Sequence, residues 1–210
     1  MSLPAADANG SLQRHGTKEE QSMNGYLVVS DIHGDRAGIR LMQEAIDLHH
    51  PKAVILLGDV LYHGPRNDLP EQYDPKAVIA YMNQLDLPVL AVRGNCDAEV
   101  DQMVLTIPIT ADYSWMPLGS RMVFLTHGHL YHPDRLPNLN AGDLFLYGHT
   151  HIPSALRQNG ICLLNPGSVS LPKADHPRSY GLLTESGFTV LNASHQSFQS
   201  ILFDEAYTEL

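Results

Sequence analysis

Five strand-sized apolar runs in this chain each break off into a short polar cluster of Asp, His, Asn and Gly. Residues 26–30 run into Asp31-Ile32-His33, residues 53–57 into Gly58-Asp59, and residues 88–92 into Arg93-Gly94-Asn95-Cys96-Asp97. Later, residues 122–126 run into His127-Gly128-His129, and residues 143–147 into Gly148-His149-Thr150-His151. Apolar runs of this length read as buried strands, and in open α/β sheets the carboxyl ends of strands line the ligand crevice. All five clusters are therefore expected to converge at one edge of the fold. Glycine beside each cluster lets the backbone turn sharply, so that short side chains project into that crevice.

The elements between the clusters support this arrangement. Residues 36–50 carry Ile39, Met42, Ala45, Ile46 and His49 at helical spacing. Asp74 followed by Pro75 is a helix start, with Asp as the cap and Pro at the first position, and helix is expected to about Leu85. Strand and helix thus alternate three times, the pattern of a mainly parallel α/β sheet. From Arg121 onward strands are expected at short spacing, over residues 122–126, 143–147, 155–164, 179–184, 188–191 and 197–203. A mixed sheet, or two packed sheets with helices outside, accommodates both halves. There is no internal repeat, so residues 23–210 are expected to form a single domain. Residues 1–22 are polar, lack the hydrophobic centre of a secretory signal and precede a second methionine, Met23; they are expected to be a disordered extension or tag.

Composition narrows the function. The formal net charge of -10 disfavours generic binding to nucleic acid or to anionic membranes, since both depend on basic groups that displace counterions. No apolar run approaches the ~20 residues that span a bilayer. With Cys96 and Cys162 as its two cysteines the chain has no disulfide framework, and a reducing, cytoplasmic location is expected.

The 12 histidines in 210 residues call for an explanation, and the clusters supply one. Carboxylate, amide oxygen and imidazole form a mixed N/O donor set suited to Mn, Fe, Zn or Ni. Asp31, His33, Asp59, Asn95, His127, His149 and His151 are too many ligands for one ion. With one bridging carboxylate they divide into two four-ligand sites. Two divalent cations roughly 3.5–4 Å apart would activate one bridging hydroxide and clamp phosphate oxygens for in-line displacement.

The ordered series resembles the calcineurin-like metallophosphoesterase superfamily, whose pattern runs D-x-H, G-D, G-N-H-[DE], G-H or H-G, and G-H-x-H. Residues 58–67, 92–97 and 165–170 are similar to the small bacterial YfcE-type phosphodiesterases. This resemblance implies a four-layer α/β/β/α sandwich of two mixed sheets. It also implies one metal on Asp31, His33, Asp59 and His151, a second on Asp59, Asn95, His127 and His149, and manganese as the preferred ion. The implied activity is metal-dependent phosphodiester hydrolysis of a small substrate by the hydroxide that bridges the dinuclear centre. Oligomeric state stays open, homodimer or higher homo-oligomer included.

Many superfamily members carry His after Gly-Asn where this chain has Cys96. In them that His contacts the phosphoryl group or assists the leaving group, and a thiol serves either role poorly, which favours diesters over monoesters. Asn95, His129, Arg66 and Cys96 are the candidate catalytic residues. His129 or a metal-bound water would supply the leaving-group proton, Arg66 would pair with phosphate oxygens, His63 is a further candidate contact, and Asp97 would orient a ligand. The alternatives are a phosphomonoesterase or nucleotide pyrophosphate hydrolase, and a non-catalytic protein-binding scaffold of the same fold.

Overall fold

The computed structural model describes residues 23–204. The expected N-terminal extension over residues 1–22 lies outside the described residues. In chain order the elements are β1 (Met23–Val29), α1 (Arg36–His49), β2 (Pro51–Leu56), α2 (Pro75–Gln84), β3 (Val89–Ala91) and the short α3 (Glu99–Gln102). Then come β4 (Tyr113–Leu118), β5 (Arg121–Thr126), β6 (Leu144–Leu146), β7 (Ser154–Gln158), β8 (Ile161–Asn165), β9 (Ser179–Leu183), β10 (Gly187–Asn192) and β11 (Ser197–Leu202).

These strands build two mixed sheets, in the orders β11-β10-β9-β1-β2-β3 and β4-β5-β6-β8-β7. Side chains alternate across each strand, so β1 and β2 serve two cores at once. Leu27, Val29 and Leu56 pack with Ile39, Met42 and Ala45 of α1 and with Val78 and Met82 of α2. Val28, Ile55 and Leu57 pack with Leu125, Leu144 and Leu146 of the second sheet. Asp35 caps α1 by accepting the Ala37 N–H, and Asp74 caps α2 by accepting the Ala77 N–H, with Pro75 in the first turn as expected.

Three features sharpen the architecture read from the sequence. Strand β4 has no counterpart among the expected strands. Pro117 lacks the N–H that a central strand needs, and β4 lies at the sheet edge, where proline is tolerated. Residues 155–164 are two strands rather than one. Asn159 and Gly160, with φ of 52° and 79°, form the left-handed pair of a two-residue hairpin turn between β7 and β8. Finally, the layer outside the second sheet is an irregular segment rather than a helix: Tyr131, Leu136 and Leu139 pack on Phe124, Phe145 and Tyr147.

Candidate metal centre

In the first sheet β1, β2 and β3 run parallel; in the second, β5, β6 and β8 do. Their carboxyl ends face a common crevice, and the seven expected ligands meet there. His33 Nε2 lies 3.6 Å from Asp31 Oδ1 and 3.7 Å from Asp59 Oδ2. His151 Nε2 is 3.2 Å from both Asp31 Oδ1 and His33 Nε2. On the other side of Asp59, its Oδ2 is 3.4 Å from His127 Nε2. His127 Nε2 in turn lies 3.1 Å from Asn95 Oδ1 and 3.2 Å from His149 Nδ1.

Five of the seven residues are aimed by a partner on the other side of the side chain. The Nδ1–H groups of His33, His127 and His151 donate to the carbonyls of Tyr62, Leu57 and Leu171. That choice of tautomer leaves the three Nε2 lone pairs facing the crevice, as outer-sphere partners do for metal-ligating imidazoles. The carboxylates are divided in the same way. Asp31 Oδ2 accepts from Ser30 Oγ at 2.6 Å and from the His149 N–H at 3.0 Å, while its buried Oδ1 has no hydrogen-bond partner. Asp59 Oδ1 accepts the Cys96 N–H at 2.8 Å and Oδ2 faces His33 and His127.

The result is a gathering of acceptors, buried at Asp31, His33, Asp59, His127 and His151 and open at His149 and Asn95, which a proton or a cation can hold together. Three groupings among the described residues, Asp31-His33-His151, Asp31-Asp59-His127 and His33-Asp59-Cys96, bring their ligand atoms within 4.8 Å of one another. The residues present therefore fit divalent cations.

Backbone conformation contributes to the aim. Asp31, His33, Asp59, His149 and His151 all adopt left-handed φ, between 50° and 65°. For a non-glycine residue this costs on the order of 1–3 kcal/mol and persists only where the surroundings enforce it. Enforcement comes from three buried residues. Asp97 accepts the N–H groups of Asp59, Val60 and Gly94, each at 2.8 Å. Asn165 donates to the Gly148 carbonyl at 2.9 Å, and Ser168 Oγ to the Asp31 carbonyl at 2.9 Å. Asp97 thus positions Asp59 through the main chain, rather than acting on an imidazole. Packing is equally tight. A Cβ on Gly94 would lie 2.0 Å from Asp59 Oδ1, and one on Gly148 would lie 1.9 Å from Ser30 Oγ.

The electrostatics divide the two sides of Asp59. Burial alone would raise Asp31, but His151 and His33 outweigh it and hold the carboxyl well below its ordinary value. Burial alone would lower His127, but Asp59 and Asp31 push it up to about 9. His149, with burial and then His127 acting against its charge, is pushed down to about 4. Cys96 is raised to about 12 by burial and by Asp59, so its thiol stays protonated.

A cleft of about 420 Å³ opens over this centre, lined by Asp59, Asn95, Cys96, His149 and His151 together with Arg66, Asn67, Thr150 and Lys173. Arg66 and Cys96 are where the sequence places them. His129 and His63 do not line the cleft. The His129 ring sits 5.4 Å from that of His127, and burial and the His127 charge lower its pKa. His63 wedges edge-on against Tyr62 and Tyr73. Lys173 and Ser30 were not singled out from the sequence. Lys173 follows the Asn165–Ser170 turn, and Ser30 directly precedes Asp31, so both stood beside recognisable segments.

A family model described as calcineurin-like phosphoesterase superfamily domain matches residues 25–187. The chain belongs to this superfamily. Phosphodiesterase YfcE of Escherichia coli K12 is 46% identical over 171 residues, covering 81% of this chain and 93% of that protein. The probable metallophosphoesterase YsnB of Bacillus subtilis is 33% identical over 108 residues, covering 46% of this chain and 57% of that protein. Among solved structures, E. coli YfcE superposes with a TM-score of 0.83 at 42% identity, covering 86% of this chain and all of that one. Vacuolar protein sorting 29 from Cryptosporidium parvum, at 18% identity and a TM-score of 0.58, shares the fold, covering 85% of this chain and 98% of that one. This calcineurin-like phosphoesterase is accordingly an α/β hydrolase of phosphate esters that binds divalent metal. Among the described residues, no helix is long and apolar enough to cross a membrane.

Proposed function

We propose that this chain is a phosphodiesterase with a dinuclear centre. Asp31, His33, Asp59 and His151 hold one divalent cation, Asp59, Asn95, His127 and His149 hold the second, and manganese is the preferred ion. The observation that carries the reading is the division of Asp59, whose Oδ1 is pinned by the Cys96 N–H while Oδ2 faces His33 on one side and His127 on the other. One oxygen of a carboxylate is thereby offered to two ligand sets. When bound, the cations supply Lewis acidity toward phosphate oxygens and lower the pKa of a shared water, making hydroxide available near neutral pH.

The chain's own residues do the rest. Arg66 and Lys173 put positive charge on the cleft wall and orient a phosphodiester anion over the centre. Asn95 holds its amide oxygen toward His127 with Nδ2 turned to Cys96 Sγ at 3.2 Å. Cys96, protonated and small, offers no strong acid at the position beside Asn95. That supports a diester rather than a monoester or a nucleotide pyrophosphate as substrate, and a complete ligand set argues against a purely scaffolding role. The likeness to YfcE, a phosphodiesterase by name, agrees with this choice.

The test is hydrolysis of bis(4-nitrophenyl) phosphate by chelated protein, by protein reloaded with Mn, and by Asp59→Asn. Activity should depend on added metal and fall at least about a hundredfold in the variant. Full turnover in the chelated protein or in Asp59→Asn would sink the proposal.

A further inference from the structure

Beside the polar cleft lies a second opening of about 410 Å³ whose walls are mostly apolar: Leu61, Tyr62, Tyr73, Ile79, Val100 and Val104. One acidic residue, Asp101, lines it as well, with one oxygen accepting the Ala98 N–H. Val100 is 61% exposed and Val104 44%, so large apolar side chains stand open to solvent here. Exposed apolar surface of this kind marks a binding surface more often than accident.

Cys96 belongs to both openings. Its Sγ lies 2.9 Å from where a Cβ on Gly64 would be, so sulfur and glycine pack in contact and Cys96 forms a wall that the two openings share. An imidazole in place of Cys96 would raise that wall. The His63 ring, edge-on to Tyr62 at 4.8 Å and to Tyr73 at 5.4 Å, braces the two aromatic walls.

Resting on the dinuclear phosphodiesterase reading above, we infer that this groove is the subsite for one ester arm of the substrate, and that the arm is an uncharged aromatic group. A diester anion held by Arg66 and Lys173 over the metal ligands has two arms. Across the Cys96 wall, one of them reaches a groove that offers tyrosine faces and aliphatic side chains and no cationic wall residue. Tyr62 and Tyr73 would meet a flat ring by offset or edge contacts. The groove therefore sets specificity, while the cleft sets reactivity.

The experiment measures binding of phenyl phosphate and methyl phosphate to the Mn-loaded chain by calorimetry, for the wild type, V100N/V104N and Val104→Trp. Both ligands carry the phosphate that the cleft binds, and they differ only in the arm. Phenyl phosphate should bind at least about tenfold more tightly to the wild type, from burial of its ring. Removing apolar area with V100N/V104N, or filling the groove with Val104→Trp, should erase most of that advantage while leaving methyl phosphate within about twofold. Equal affinities in the wild type, or variants that weaken both ligands alike, would overturn the inference. So would variants that dissociate an oligomer without changing either affinity, since the groove would then be a subunit contact. Turnover of bis(4-nitrophenyl) phosphate in the same preparations separates the two readings. Metal-dependent turnover without aromatic preference removes the subsite alone, and absence of turnover removes the dinuclear reading and the subsite with it.

Discussion

Asp97 accepts the backbone N–H of Asp59 at 2.8 Å, and through that bond it holds the residue proposed to serve both cation sites in a left-handed conformation. The same carboxylate accepts from Val60 and Gly94, so the ends of β2 and β3 are tied at a single side chain. Asp97→Ala should leave three buried N–H groups unsatisfied and lower stability by about 2–4 kcal/mol, read from urea unfolding. Asp97→Asn, which keeps the size and one acceptor oxygen, should fold and yet bind metal about 10–100-fold more weakly by calorimetric titration. Unchanged affinity in Asp97→Asn would show that Asp59 needs no such support.

Gly94 is excluded from carrying a side chain by the same residue, because its Cβ would lie 2.4 Å from Asp59 N as well as 2.0 Å from Oδ1. Gly94→Ala should therefore displace Asp59. Metal-dependent turnover is expected to fall at least about a hundredfold, with roughly 1–3 kcal/mol of stability lost to overpacking. Turnover and unfolding of the purified variant check both.

The two cation sites should differ in strength. The first has Asp31 and a share of Asp59; the second has only its share of Asp59, with a neutral amide from Asn95. Calorimetry should resolve two binding steps. Asp31→Asn should weaken the tighter step and Asn95→Ala the weaker one, each by at least about tenfold. One indivisible step, abolished equally by either variant, would contradict the division.

Metal removal should expose a dependence on pH. His127 is raised to about 9 from an ordinary 6.5, so its favourable pairing in the folded state is fully present below pH 6.5 and is lost as pH rises through about 9. His149 is pushed down to about 4 and has the opposite slope, since stability falls as pH drops from 6.5 toward that value. The chelated protein should thus be most stable near pH 6.5. Bound cations take the place of the His127 proton, so the alkaline slope should vanish in the loaded protein. Thermal melts from pH 5 to 10, with and without Mn, read both.

Cys96 stands where an imidazole would serve a monoester leaving group. Cys96→His should raise the ratio of monoester to diester turnover by about tenfold or more, measured with 4-nitrophenyl phosphate against its diester. The same change sets a ring on the wall between the cleft and the apolar groove, so diester turnover should fall alongside.

The seven candidate ligands stood out because metal chemistry restricts which side chains serve and strand-end geometry restricts where they sit. Asp31-x-His33 and Gly148-His149-Thr150-His151 mean little singly and a great deal as an ordered set. Strand β4 was harder to read, for a physical reason. Pro117 contradicts a strand unless the strand is known to be an edge, and edge position is a property of the assembled sheet. The run from Ala155 to Leu164 is interrupted by Arg157-Gln158-Asn159-Gly160, and Asn-Gly is the pair that a two-residue hairpin turn prefers, so this division was legible in the sequence.

What the sequence determined by itself is the donor set and its order along the chain, because ligand identity is a matter of side-chain chemistry. Tertiary structure decided the aim. It set which oxygen of Asp31 and Asp59 is spent on an N–H or hydroxyl and which is left free, and it placed Tyr62, Leu57 and Leu171 as the carbonyls that turn three imidazoles inward. It also put Lys173 on the cleft wall and Cys96 between two openings. Those relationships join residues distant in the chain, such as Asp31 and His149, and a hydrogen bond between them exists only once the two sheets have packed.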